Sequence, residues 1–211
     1  LAAAVNVHGT SNVVGALARS CPEAHLIFAS TDSTYGQVTK GEPVTEETPL
    51  APLSEYGRDK EAGERLVRGG CRRWSILRFA TAFGLSRRLR LDLMINDFTW
   101  QAVHNKHLIV YEAGFGRTFL HVKDIVRAIL LVLDRPEDTV AQTFNVGDDN
   151  LNVTKADIAK LVSEIVSGTT LNLFGEGIDP DQRNCVVDHS RIHSLGFEAT
   201  MSLRAGIEEL V

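Results

Sequence analysis

Leu26-Ile-Phe-Ala-Ser30 runs directly into Thr31-Asp-Ser-Thr-Tyr35-Gly36. A short apolar run of this kind predicts a buried strand, and the hydroxyl cluster around one carboxylate marks where it stops. A second apolar run, Trp74-Ser-Ile-Leu-Arg-Phe-Ala80, predicts another buried strand, and between the two lies a helical stretch, Ser54 to Arg68. Strand, helix and strand in that order describe a parallel crossover, and unbroken apolar strands belong to a sheet covered on both faces. Working outward, spacing of three and four predicts helices over Asn6 to Arg19, Leu93 to His104, Asp124 to Leu133 and Leu203 to Val211. Strands are predicted at Leu108 to Tyr111, Thr143 to Val146 and Leu171 to Phe174. Thr154 suits an N-cap, with Asp157 three residues on and Val153 placed to staple onto Ile158, for a helix running to about Val166. Asp124 is expected to cap its helix, and Asn145 and Gly147 to make a turn. Gly36 to Leu53, rich in Pro, Thr and Glu, reads as a long surface loop of the kind that borders active sites. The fold class expected is α/β, a doubly wound parallel sheet.

The chain has 211 residues, enough for one domain or one domain with a small lobe. With 22 Lys and Arg against 27 Asp and Glu, its net charge of −5 excludes a bulk electrostatic grip on nucleic acid. Hydrophobic residues at 44% and charged residues at 23% exclude disorder and collagen. No apolar run approaches the roughly 20 residues that span a bilayer, so no membrane partner is expected. Leu1 to Val5 lack the charged flank of a signal peptide. Cys21, Cys71 and Cys185 are far apart and odd in number, so a reducing, cytoplasmic setting is expected. The seven histidines show no metal spacing, and no metal site is expected.

Chemistry gathers at Tyr56 and Lys60, in Tyr-Gly-Arg-Asp-Lys. At i and i+4 on a helix the two side chains share a face, one turn apart. An ammonium beside a phenol favours the phenolate, whose free pKa is about 10. A tyrosine so placed serves as general base toward a sugar or alcohol hydroxyl, and as acid in reverse. The pair alone is common by chance on exposed helix faces, and its context is what singles it out. Thr31 and Asp32 follow a buried parallel strand, and ligands of parallel sheets sit beyond the strands' carboxyl ends. Thr31 is therefore expected to bond the same reacting hydroxyl, although Asp32 equally suits a turn former.

The chain resembles the extended short-chain dehydrogenase/reductase family, in its nucleotide-sugar epimerase/dehydratase branch. The matching pieces are Asn6-Val-His-Gly-Thr10, Phe28 to Gly36, Tyr56-x-x-x-Lys60, Leu77 to Gly84, Arg117 to Asp124, Phe144-Asn-Val-Gly147 and Asp181 to Asp188. Their order, spread from Asn6 to Asp188, is more specific than any one of them. The resemblance implies an NAD(P)-dependent enzyme, with NAD favoured, acting on a nucleotide-diphosphate sugar. Its most direct reading is epimerisation through a transient keto sugar. A keto-sugar reductase or dehydrogenase, or a non-catalytic chain that only binds a sugar nucleotide, is the alternative. It assigns Thr31, Tyr56 and Lys60 to the catalytic set, with Asp32 beside them. It places Ala2, Ala3, Asn6, Ser30, Phe79 and Ala82 near the cofactor, together with Tyr56 and Lys60, Ala2 and Ala3 being matched to the end of a strand. Thr81, Arg117, Asp181 and Arg183 fall to the substrate, Arg117 as the guanidinium that pairs with a pyrophosphate. A homodimer is implied through the helices Asn6 to Arg19 and Ser54 to Arg68. The implied organisation is a dinucleotide-binding part over residues 1–85 with a return element near 118–147, and a substrate lobe of 86–117 and 148–211.

Two departures from the family pattern matter. None of the 17 glycines makes the Gly-x-x-Gly-x-x-Gly turn that holds a cofactor pyrophosphate, so the chain is expected to be a fragment that binds dinucleotide poorly on its own. The dehydratases of the family carry Thr-Asp-Glu where this chain has Thr31-Asp32-Ser33. Loss of one acid argues against elimination of water and toward epimerisation or carbonyl–alcohol interconversion.

Overall fold

The structure, a computed structural model, describes residues 2–36, 43–175 and 186–211. A π-helical turn (Ala4–His8) leads into α1 (Gly9–Ser20), then β1 (His25–Thr31), a 3-10 turn (Asp32–Thr34), α2 (Glu55–Gly70) and β2 (Arg73–Phe79). Next come β3 (Thr81–Phe83), α3 (Met94–Asn105), β4 (His107–Val110), β5 (Gly116–His121), α4 (Val122–Asp134), α5 (Pro136–Thr139) and β6 (Gln142–Val146). The remainder is β7 (Asn152–Thr154), α6 (Lys155–Ile165), β8 (Thr170–Leu173), α7 (Ser190–His193) and α8 (Leu203–Glu208).

The two apolar runs become neighbouring strands. β1, β2 and β6 form a parallel sheet in the order β1-β2-β6. Register places Ser30 beside Arg78 and Arg78 beside Asn145, one polar row near the strands' carboxyl ends. Below it Leu77 and Phe144 are buried in a core shared with Val132 of α4, Ile192 of α7 and Phe197. β3 pairs in parallel with β5, β5 is antiparallel to β7, and β4 pairs in parallel with β8. A second core, with Phe83, Ile95, Phe119, Val162 and Ile207, joins α3, α6 and α8.

Most expected elements are present within one or two residues, and the differences have local causes. Thr154 caps α6 in a full capping box, its hydroxyl accepting from Asp157 N while the Asp157 carboxylate accepts from Thr154 N. Asp124 does not cap α4: His121 does, its Nδ1 accepting from Lys123 N. The Asp124 carboxylate instead accepts from Thr200 N and Oγ1 and from Met201 N, tying the C-terminal segment to α4. Asn145 is no turn residue but a buried member of β6. Ala2 and Ala3 are helical and exposed, not the end of a strand, as expected of alanine, the best helix former, in a stretch with no strand partner. The loop after Gly36 is not wholly superficial either, since Val44 is fully buried and bridges Val187.

Candidate functional site

β1 delivers Thr31 to the carboxyl end of the sheet, almost buried, where its Oγ1 accepts from Ser33 N and lies 3.0 Å from Ser33 Oγ and 3.3 Å from Asp32 Oδ1. This hydroxyl turn folds the chain under α2. Ser54 caps α2 by accepting from Gly57 N. Glycine is needed at Gly57 because a Cβ there would sit 2.8 Å from the Ser33 carbonyl, and at Gly63 because one would sit 2.5 Å from the Phe28 ring. Both glycines let the helix lie directly on β1 and the turn, which brings Tyr56 and Lys60 to the same end as Thr31. Lys60 Nζ donates to the Ala29 carbonyl at 2.9 Å and stands 5.7 Å from the centre of the Tyr56 ring and 5.2 Å from that of Phe28. Burial holds its pKa below the ordinary lysine value. The amine is thus pinned to the strand rather than waving in solvent, while the Tyr56 ring is half exposed.

Two residues beyond β2, Thr81 lines a cleft of about 510 Å³ together with Arg117, Asp92, Tyr111 and Lys155. Arg117 enters it from the start of β5. Asp92 is held by Arg90 at 2.6 and 3.1 Å, and the pKa of Arg90 is raised chiefly by that bond, with the charge of Asp92 adding to it against the effect of burial.

The remaining expected residues divide. Asn6 Nδ2 reaches Asp59 Oδ2 at 3.4 Å, next to Lys60. Phe79 packs in the sheet core and Ala82 lies in β3. Ser30 is turned inward, donating to Glu64 Oε1 at 2.6 Å. Asp181 and Arg183 lie outside the described residues. Among the described residues no group of three His, Cys, Asp or Glu side chains could hold a metal ion.

A polar cluster behind the site was not read from the sequence. Arg78 and Glu64, both 2% exposed, form a bidentate pair at 2.7 and 3.0 Å. Arg78 Nη1 donates to the Tyr35 hydroxyl at 2.8 Å, and that hydroxyl donates to Asn145 Oδ1 at 2.6 Å. Asn145 Nδ2 donates onward to the Asp188 carbonyl, and Asn145 N donates to Glu46 Oε1. Burial pushes the Tyr35 phenol up to about 12, against the pull of Arg78, so it keeps its proton. Burial opposes the charge of Arg78, but its bonds to Glu64 outweigh this and its pKa rises. The cluster locks β1, β2, β6, α2 and the 43–53 loop together beneath the Tyr56–Lys60 face.

A parallel sheet with paired tyrosine and lysine at its carboxyl end and a cleft just beyond defines a Rossmann-like α/β protein. A sequence profile of the NAD dependent epimerase/dehydratase family matches residues 2–147, and the chain belongs to that family. It is 32% identical over 203 residues to a Bacillus subtilis (strain 168) protein named as an uncharacterized UDP-glucose epimerase, covering 90% of this chain and 61% of that protein. The chain therefore spans about three fifths of that relative's length. Its fold matches the Thermotoga maritima UDP-glucose 4-epimerase with UDP-glucose at a TM-score of 0.86 and 23% identity, over 99% of this chain and 68% of that one. The Bacillus cereus UDP-glucuronic acid 4-epimerase in complex with NAD gives 0.81 and 26%, over 96% and 65%.

Proposed function

We propose that this chain carries the substrate-binding part and the catalytic Thr31, Tyr56 and Lys60 of an NAD(P)-dependent nucleotide-sugar epimerase. The observation that carries the reading is Lys60, anchored on the Ala29 carbonyl and 5.7 Å from the Tyr56 ring, at the end of the sheet that also opens toward Thr81 and Arg117. Tyr56, Lys60 and Thr31 make a donor set suited to a nicotinamide ribose and a sugar hydroxyl, so the residues present fit the cofactor, NAD being favoured because six similar structures hold it against one that holds NADPH. A bound nicotinamide supplies the hydride acceptor and donor. Tyr56 Oη would take the proton of the sugar hydroxyl as its carbon gives up a hydride, and would return that proton to the same oxygen when the hydride comes back to the opposite face of the ketone carbon. Lys60 stabilises the phenolate by its charge, and Thr31 Oγ1 orients the hydroxyl. Arg117, with Thr81, holds the diphosphate and fixes which carbon meets Tyr56. Ser33 bonds to Thr31 where a second acid would serve elimination of water, which favours epimerisation over dehydration.

Tyr56→Phe in the intact protein should cut epimerisation of a UDP-hexose by roughly 10²–10⁴ while UDP binding survives. Full turnover by the variant refutes the assignment. Stoichiometric cofactor consumption would identify a keto-sugar reductase instead.

The same reading divides the chain into two lobes, residues 1–85 with 118–147 against 86–117 with 148–211, with packing across them, since Ile192 and Phe197 lie in the sheet core and Phe83 and Phe119 in the core of α3, α6 and α8. Exposed Val5 and Val13 beside α2 support a homodimer through α1 and α2, and the free thiols of Cys21 and Cys71 support the cytoplasm. No helix among the described residues is long and apolar enough to cross a membrane.

A further inference from the structure

Lys155 is the first residue of α6, and its side chain is only 10% exposed. Its Nζ lies 3.4 Å from Glu112 Oε2, and the Glu112 side chain is 4% exposed. Glu112 holds a left-handed backbone, φ 51°, which a residue with a Cβ adopts at a cost. A buried ion pair adds little net stability over apolar side chains of the same size, so stability does not account for a strained glutamate facing a buried lysine. Position does. Lys155 lines the same cleft as Thr81 and Arg117.

Register shows how closely the two cations are related. Arg117 stands opposite Val153, and Gly116 opposite Thr154, in the antiparallel β5–β7 pair. Lys155 N donates to the Phe115 carbonyl at 3.0 Å, which carries the ladder one residue further. Residues two apart on a strand share a face, so Arg117, Val153 and Lys155 lie on one side, with Arg117 and Lys155 as diagonal neighbours. Diagonal positions are roughly 7–8 Å apart, within reach of two long side chains converging on one ligand. The cleft's acids are engaged elsewhere, Asp92 by Arg90 and Asp97 by Gln101 at 2.8 Å.

We propose that Lys155 is a second cationic contact for the diphosphate of the substrate, held beside Arg117 by Glu112 until the ligand arrives. The proposal rests on the nucleotide-sugar reading and adds a specificity residue to it. When the diphosphate binds, the Lys155 amine turns from one carboxylate oxygen toward phosphate oxygens, and Arg117 supplies the planar fork that lysine lacks.

Calorimetric titration of the intact protein with UDP and with uridine tests this. Because both side chains of the pair are buried, the decisive comparison is E112Q against E112Q/K155M, with folding checked by circular dichroism. E112Q is expected to bind UDP at least as tightly as the unsubstituted protein, since a competing anion is gone. Adding K155M is expected to weaken UDP by at least about tenfold and leave uridine affinity where it was. Equal UDP affinity in the two variants overturns the role of Lys155 and leaves the nucleotide-sugar reading intact. Equal losses for UDP and uridine show a merely structural lysine and also overturn it. If the unsubstituted protein binds neither UDP nor dTDP, the nucleotide-sugar reading itself fails, and the proposal with it.

Discussion

Among the described residues two acid–base pairs are buried, and they are built differently. Arg78 and Glu64 meet through two bonds, and Ser30, Arg68 and Tyr35 occupy further donor and acceptor positions around them. Lys155 and Glu112 meet at a longer 3.4 Å beside an open cleft. A charge pair with its hydrogen-bonding capacity met inside the protein is committed to holding elements together. A looser pair at a cleft wall can exchange its partner for a ligand. One pair is thus part of the frame, and the other belongs to the site.

The sharpest way to break that contrast is to neutralise each acid. Glu64→Gln should cost about 3–5 kcal/mol in chemical denaturation, because it strands the Arg78 charge where water does not reach. Glu112→Gln should cost roughly 1–2 kcal/mol, since the cleft lets water replace a lost bond to a charged group. Equal costs would erase the distinction between frame and site.

Tyr35→Phe probes the frame more gently. It removes the donor to Asn145 Oδ1 and the acceptor for Arg78 Nη1, and should cost about 1–3 kcal/mol by the same measurement. A neutral result would show that the row Ser30–Arg78–Asn145 does not depend on this hydroxyl.

The smallest effect concerns pH. His121 is fully buried, and burial is the main reason its pKa falls below the ordinary 6.5, with Glu209 pulling the other way and Lys123 adding to the fall. The unfolded chain therefore binds a proton more readily than the folded one below about pH 6.5, and folding stability drops as pH falls through that window. His25, also lowered by burial, acts in the same sense. Thermal unfolding from pH 7.5 to 5.5 should show the decline, and His121→Gln should flatten it. An identical slope in the variant would mean that other groups carry the dependence.

Much of the site was legible because its residues are close in sequence. Tyr56 and Lys60 share a helix face by spacing alone, and Thr154 with Asp157 announces a capping box through residues three apart. Other features join distant segments. Ser30, Arg78 and Asn145 form a row only because β2 lies between β1 and β6 in one particular register. Arg78 is one polar residue within the apolar run Trp74 to Ala80, and Asn145 was expected to make a turn. Cys21 and Cys71, fifty positions apart and treated as unrelated, line one small cavity where α1 and α2 end. Lys155 was an unremarked helix residue until the β5–β7 ladder set it diagonal to Arg117.

Local order therefore settled five of the strands, the Thr154 cap and the shared helix face of Tyr56 and Lys60, since propensity, apolar spacing and helical periodicity act over a few residues. Which buried charges meet, which asparagine anchors a loop and which lysine faces the ligand depended on strand order and register. Those are chosen by packing the whole sheet against its helices, and a linear chain carries no local mark of them.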